Sequence, residues 1–215
     1  MSVVWLDRDD PRYPPALLNH LGDQGPQRIA TRGNLAVLSA PMVALLCSVA
    51  CPGDVILRTF DVARALRDAG VSVVGGFHAP MEQEALTLLL RGTQPVVVCA
   101  ARAIEEMRLP TTWQAAMDAG RLLLLSPFND AQRRVTAARA RRRNEVVAAL
   151  ATTVFVAHAA PGGSVEALCR VIQARGTPLL AGEGADNAAL LALGARPVRP
   201  ATVAAFVSAS LPGQR

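Results

Sequence analysis

Residues 139–175 read RARRRNEVVAALATTVFVAHAAPGGSVEALCRVIQAR, and this stretch decides the fold. It opens as the end of a basic helix and continues as an apolar strand over Thr153–Ala157. A turn at Pro161-Gly162-Gly163 follows, and a second helix starts at Ser164. A short strand that is apolar without alternation is buried on both faces, as in a parallel sheet. Such a strand, leading through a glycine turn into a helix start, forms an anion site. The first N–H groups of the helix have no internal partner and point at whatever lies over the strand end. Ser164 suits the cap position and Glu166 the first turn. With Arg143 and Asn144 on the preceding helix, these parts are expected to meet around a phosphate.

Upstream and downstream the same alternation repeats. Apolar runs at Met42–Cys47, Val71–Val74, Val96–Cys99, Leu122–Leu125 and Pro178–Ala181 are expected strands. Helices are expected at Asp54–Ala69, Met81–Leu90, Ala103–Met107, Thr112–Ala119, Ala131–Leu150 and Asn187–Leu193. Short apolar strands separated by helices imply an α/β chain: a Rossmann-like, mostly parallel sheet with helices on both faces. Ahead of it, residues 13–21 read as a helix opened by Pro14-Pro15. Gly33-Asn34 between Arg28–Arg32 and Leu35–Leu38 reads as a hairpin. Residues 1–40 are therefore expected to be a small helix/hairpin appendage, and residues 41–215 the Rossmann-like domain.

The totals narrow the class. Net charge is +5, and all 22 basic residues are Arg. Six of them (Arg133, Arg134, Arg139, Arg141, Arg142, Arg143) crowd one segment, and without them the charge is −1, so the basic character is local. The guanidinium fork suits phosphate oxygens, although a solvated helix face explains an Arg run equally well. The four cysteines (Cys47, Cys51, Cys99, Cys169) lack metal-ligand spacing and read as buried thiols of a reducing cytoplasm. No uninterrupted apolar run has the length of a membrane span, and the N-terminus lacks the pattern of a secretory signal. No cofactor and no metal are expected.

In open α/β sheets ligands bind outside the carboxyl ends of the strands. Those ends carry Cys47-Ser48, Gly75-Gly76-Phe77-His78, Cys99-Ala100-Ala101-Arg102, Ser126-Pro127-Phe128 and His158–Gly163. None matches G-x-G-x-x-G, so no dinucleotide fingerprint is present. On a helical wheel at 100° per residue, Arg139 and Arg143 fall beside Val146, Val147 and Leu150 and are expected to point inward. An inward arginine needs a counter-charge or a hydrogen-bonding ligand. Arg102 follows a strand and can add positive charge there, or pair with Glu105 or Glu106.

Several of these pieces, in this order, resemble one family. They are Tyr13-Pro14 with Leu17, Arg32-Gly33-Asn34, a strand ending at Ser48, Gly75-Gly76, and Arg143-Asn144-Glu145-Val146-Val147-Ala148-Ala149-Leu150. Together they resemble the DprA/Smf DNA-processing proteins over roughly residues 13 to 182. Cys47-Ser48-Val49 stands where that family has Gly-Ser-Arg. Pro80, Glu82 and Leu86 replace a glycine, an aspartate and a histidine of its second motif. The family's C-terminal winged helix is not expected within these residues. The resemblance implies single-stranded DNA binding, self-association as a homodimer and hand-over of the strand to RecA during DNA uptake. It implies Ser48, Gly76, Arg143, Asn144, Gly162, Gly163 and Ser164 as pocket-lining residues, to which the wheel adds Arg139 and the strand-end argument Arg102. Two other readings stay open: a sensor that binds a nucleotide without turning it over, and a LOG-type phosphoribohydrolase. The latter's Pro-Gly-Gly-x-Gly-Thr-x-x-Glu is matched only as Pro161-Gly162-Gly163-Ser164-Val165-Glu166. Catalytic candidates for it are His78, Glu82, Glu84, His158 and Glu166, and the residues favour binding over turnover.

Overall fold

The structure is a computed structural model that describes residues 2–129 and 131–209. Among the described residues nine strands form one sheet: β1 (Val4–Asp7), β2 (Arg28–Gly33), β3 (Val43–Cys47), β4 (Val73–Gly75), β5 (Val96–Cys99), β6 (Leu122–Ser126), β7 (Thr153–His158), β8 (Leu179–Gly182) and β9 (Arg196–Val198). Their order is β1-β2-β6-β5-β4-β3-β7-β8-β9. From β6 to β9 every pairing is parallel, whereas β1–β2 and β2–β6 are antiparallel. The central strands are apolar throughout because helices cover both faces: β3, β5 and β6 are buried at every position. The α/β, Rossmann-like expectation is what the chain forms.

Eight α-helices among the described residues accompany the sheet: α1 (Pro15–Leu21), α2 (Gly53–Asp68), α3 (Pro80–Leu89), α4 (Thr111–Asp118), α5 (Ala137–Leu150), α6 (Ser164–Ala174), α7 (Ala188–Ala192) and α8 (Pro200–Ala209). One face carries Leu17, Val146, Val147, Leu150, Leu168 and Ile172, from α1, α5 and α6. The other carries Val62, Leu66, Met81, Leu89, Met117 and Val203, from α2, α3, α4 and α8. The segment expected as an appendage adds β1 and β2 to the edge of the sheet, through the pairing of β2 with β6.

Four local expectations change. The run after Gly33-Asn34 is a 3-10 turn over Leu35–Ser39, capped by the Asn34 side chain, so no hairpin forms there and β2 pairs back onto β1. Residues 103–107 form a loop rather than a helix. The basic helix begins at Ala137, not at Ala131, because the Thr136 hydroxyl caps it by accepting from the Arg139 amide. Strands β1 and β9 and helix α8 were not anticipated. β9 holds Pro197, which an edge strand tolerates. The last six residues of the expected second domain lie outside the described residues.

All four cysteines are free thiols, and Cys47, Cys99 and Cys169 are buried. Burial pushes the Cys99 and Cys169 thiols from the ordinary 9.0 up to about 12. Their neutral forms are favoured by the fold, so this stabilisation is intact below pH 9 and is lost as pH rises toward 12. Two outcomes follow. A native-state thiol titration at pH 8 should leave Cys99 and Cys169 unlabelled until denaturant is added. Phe155 in β7 is among the largest fully buried side chains. Phe155→Ala should cost about 3–5 kcal/mol, read from the urea midpoint.

Candidate functional site

Four strand ends meet at the carboxyl edge of the sheet. The chain runs β3, β4, β5, β6 in one direction and then returns to place β7 on the other side of β3. This reversal is where α/β sheets usually open a ligand crevice. Here the crevice is stitched shut. The Ser48 amide donates to the His158 carbonyl (2.9 Å), and the Ser48 Oγ accepts from the Ala160 amide (2.9 Å). Beside it the buried Glu82 carboxylate accepts from the amides of Cys47 (3.2 Å), His78 (2.9 Å) and Ala79 (3.2 Å). Glu82 sits at the third position of α3 and reaches back to its start, which satisfies donors that the helix itself leaves open. Glu84, two positions on, is exposed.

The glycine turn before α6 is self-satisfied in the same way. Gly162 takes a left-handed φ of +69°, which explains the glycine. Its amide donates to the Glu166 carboxylate, which also pairs with Arg170. The internal anion thus holds the turn ahead of α6, while the cap position falls to Gly163 rather than to Ser164, with no side-chain cap bond. Ser164 lines a pocket with Asn144, Arg141 and Gln24 whose lining does not include Arg143.

The open space lies over β4 and β5. A cleft of about 590 Å³ is lined by Gly76, Phe77, Arg102, Met107, Trp113 and Arg143, among others. Arg143 is 4% exposed, and its helix packs Val146, Val147 and Leu150 against the sheet. The guanidinium lies flat on Gly76: a Cβ there would come within 1.8 Å of Nη1. Its hydrogen-bond partners are neutral. Nε donates to the Asn144 side-chain oxygen (2.7 Å) and Nη1 to the Cys99 carbonyl (3.4 Å). Among the described residues no carboxylate comes within ion-pair distance of Arg143. A buried cation without a counter-charge is costly, and a guanidinium has five N–H donors to satisfy. An anion entering the cleft would meet both needs.

Arg102 is exposed on the same cleft. Among the described residues neither expected acidic partner holds it: Glu106 pairs with Arg133 instead, and Glu105 makes no ion pair. Phe77 has φ +46°, the one positive φ of a non-glycine among the described residues, and its ring lies over Gly75. Sequence reading did not select Trp113, Phe77 or Met107 for the site. The positive φ of Phe77 carries no sequence signal, since only Gly75 and Gly76 before it hint at a tight turn. Arg139 does not point into the cleft. It lies in the first turn of α5, beyond the packed part of the helix, and donates to the Arg134 carbonyl. The expected residues therefore divide: Gly76, Arg102 and Arg143 share the cleft, Ser48 ties β3 to the loop after β7, and Asn144 holds the Arg143 guanidinium. A smaller cavity of about 220 Å³, between α2 and the ends of β7 and β8, offers no free cation, because Arg58 pairs with Asp54 and Arg199 with Glu183.

Comparison with known proteins adds to this geometry. The family model for DNA recombination-mediator protein A matches residues 5–175. None of the curated proteins matches the chain in sequence. Among solved structures, DNA processing protein A of Streptococcus pneumoniae superposes with a TM-score of 0.77 at 20% identity, over 91% of this chain and 71% of that one. DNA processing protein A of Helicobacter pylori, solved for its single-stranded DNA binding mode, gives 0.78 at 18% identity over 96% of both chains. The molybdenum cofactor carrier protein of Chlamydomonas reinhardtii gives 0.54 at 13% identity, over 80% of this chain and 99% of that one. At such identities the superpositions establish the fold.

Gly76→Ala tests the seat of the guanidinium. The added methyl meets the far end of a side chain rather than backbone. The fold should survive with a thermal midpoint lowered by only a few degrees, while a crystal structure of the variant should show Arg143 turned off position 76 and its bond to Cys99 broken.

Proposed function

The chain belongs to the DNA recombination-mediator protein A family, and on that premise we propose that it binds single-stranded DNA by the phosphate backbone in the cleft over β4 and β5. The observation that carries this reading is Arg143: a buried guanidinium with neutral partners only, turned toward a cleft that Arg102 also lines. Bidentate contact with a phosphate would supply the missing counter-charge and use its free donors. The family's Gly-Ser-Arg is Cys47-Ser48-Val49 in this chain, so the positive charge that the motif would carry is absent from the β3 end. Arg102, at the end of β5, is placed to restore it.

A hydrolase reading finds less support. Glu166 is engaged by the Gly162 amide and Arg170, and Glu82 by three backbone amides, so neither carboxylate is presented to a substrate. A nucleotide sensor would use the same arginines and is distinguished by preferring a mononucleotide to a strand. Homodimer formation and hand-over of the strand to RecA form the further part of the proposal and rest on family membership. They would be read by light scattering and by RecA filament assembly on coated single strands.

The direct test is fluorescence anisotropy with a labelled thymidine oligonucleotide. Arg143→Ala should weaken binding about tenfold or more at moderate salt. It should also make the log–log salt slope shallower by about 0.7, the loss of one phosphate contact on a single strand. Unchanged affinity and slope would remove the cleft from the DNA path. Tighter binding of a nucleoside monophosphate than of the oligonucleotide would favour the sensor.

A further inference from the structure

The cleft holds more than cations. Trp113 lies in the first turn of α4, follows Pro110, and is half-buried. One part of it packs on the core cluster that contains Met117 and Leu89. It also lines the same cleft as Arg102 and Arg143. The wall around it is continued by Met107 and Pro110, and the floor by Gly76 and Phe77. Phe77 is 3% exposed and pinned by its positive φ against Gly75, so the floor is held in one shape. A space of about 590 Å³ is within the usual range of small-molecule sites and larger than a phosphate needs. An indole that packs on the core at one side and lines a cleft at the other is a rigid stacking surface, ordered before the ligand arrives.

We propose that Trp113 is the surface on which one base of the bound strand stacks, while the phosphate beside that base is held by Arg143 and Arg102. This inference rests on the DNA-binding reading and adds the recognised unit: a base-bearing nucleotide rather than the sugar-phosphate chain alone. Stacking of this kind accepts every base, because each has a π-face. Recognition would then be independent of sequence and still dependent on the presence of bases.

The experiment compares two labelled oligonucleotides of equal length and charge, one of thymidine and one of abasic tetrahydrofuran units, in the same salt. The wild-type chain should bind the thymidine strand about tenfold tighter. Trp113→Ala should abolish most of that preference while leaving abasic affinity within about twofold, and Trp113→Phe should restore part of it. A second readout avoids any folding defect of these variants. The chain has two tryptophans, and Trp5 lies on the edge strand beneath the Arg28 guanidinium. In Trp5→Phe the remaining fluorescence reports Trp113, which the thymidine strand should quench and the abasic strand should not. Equal wild-type binding of both strands, an equal loss of both in Trp113→Ala, or absence of quenching overturns the stacking alone. Binding of neither strand overturns the DNA reading and this inference with it.

Discussion

The guanidinium of Arg143 lying on Gly76 is the contact on which the candidate site depends. It places a fixed positive charge, almost out of water, at the carboxyl ends of β4 and β5. Glycine at 76 is required because any larger side chain would occupy the seat. Asn144 and the Cys99 carbonyl then orient the group without neutralising it. Burial strengthens the field of such a charge, since the low-dielectric surroundings screen it less than water would. The arginines on the outer side of α5 act differently. Arg142 pairs with Glu145, and Arg139 bonds to its own loop. An abundance of arginine in one segment therefore yields one buried cation toward the cleft.

The backbone amides have the reverse history. Two positions offer the unpaired N–H groups that make anion sites in α/β folds, and at both of them the chain supplies its own carboxylate. Glu82 closes the start of α3 and the β3 end; Glu166 holds the Gly162 amide in the turn ahead of α6. Each carboxylate satisfies amides that would otherwise be stranded, and each adds a negative charge beside a helix start. With the reversal point also sutured through Ser48, the accessible space moves to the β4–β5 side. The cations there are arginine side chains rather than helix starts.

The edges of the sheet show how far the family resemblance reaches in physical terms. The matched range ends at residue 175, within the loop that follows α6. Beyond it β8 and β9 continue the sheet, and α7 and α8 cover opposite faces of it. At the other edge β1 and β2 run antiparallel to their neighbours, and β1 exposes Val4 while burying Leu6. The chain closes its core at both ends with short strands, which suits a sheet whose centre is apolar on both faces.

Much of this was legible in the sequence because it is periodic. The apolar runs MVALLC, VVVC and LLLL read as strands buried on both faces, and the wheel of RNEVVAAL put Arg143 on the packed side of its helix. Asn34, residues 103–107 and residues 131–136 misled because their local signals are weak and depend on what packs nearby: a turn dipeptide caps a 3-10 turn as readily as it closes a hairpin. The wheel also failed for Arg139, since it assumes that the sheet extends under the whole helix, and α5 starts before its support does. What tertiary structure alone decided is which donors remain unpaired. Glu82 and Glu166 meet amides of neighbouring turns, Arg143 meets no carboxylate, and Trp113 reaches the same cleft from an element thirty positions earlier in the chain. Periodicity is a property of one segment, whereas charge compensation is a property of distances between segments, and only the folded chain sets those.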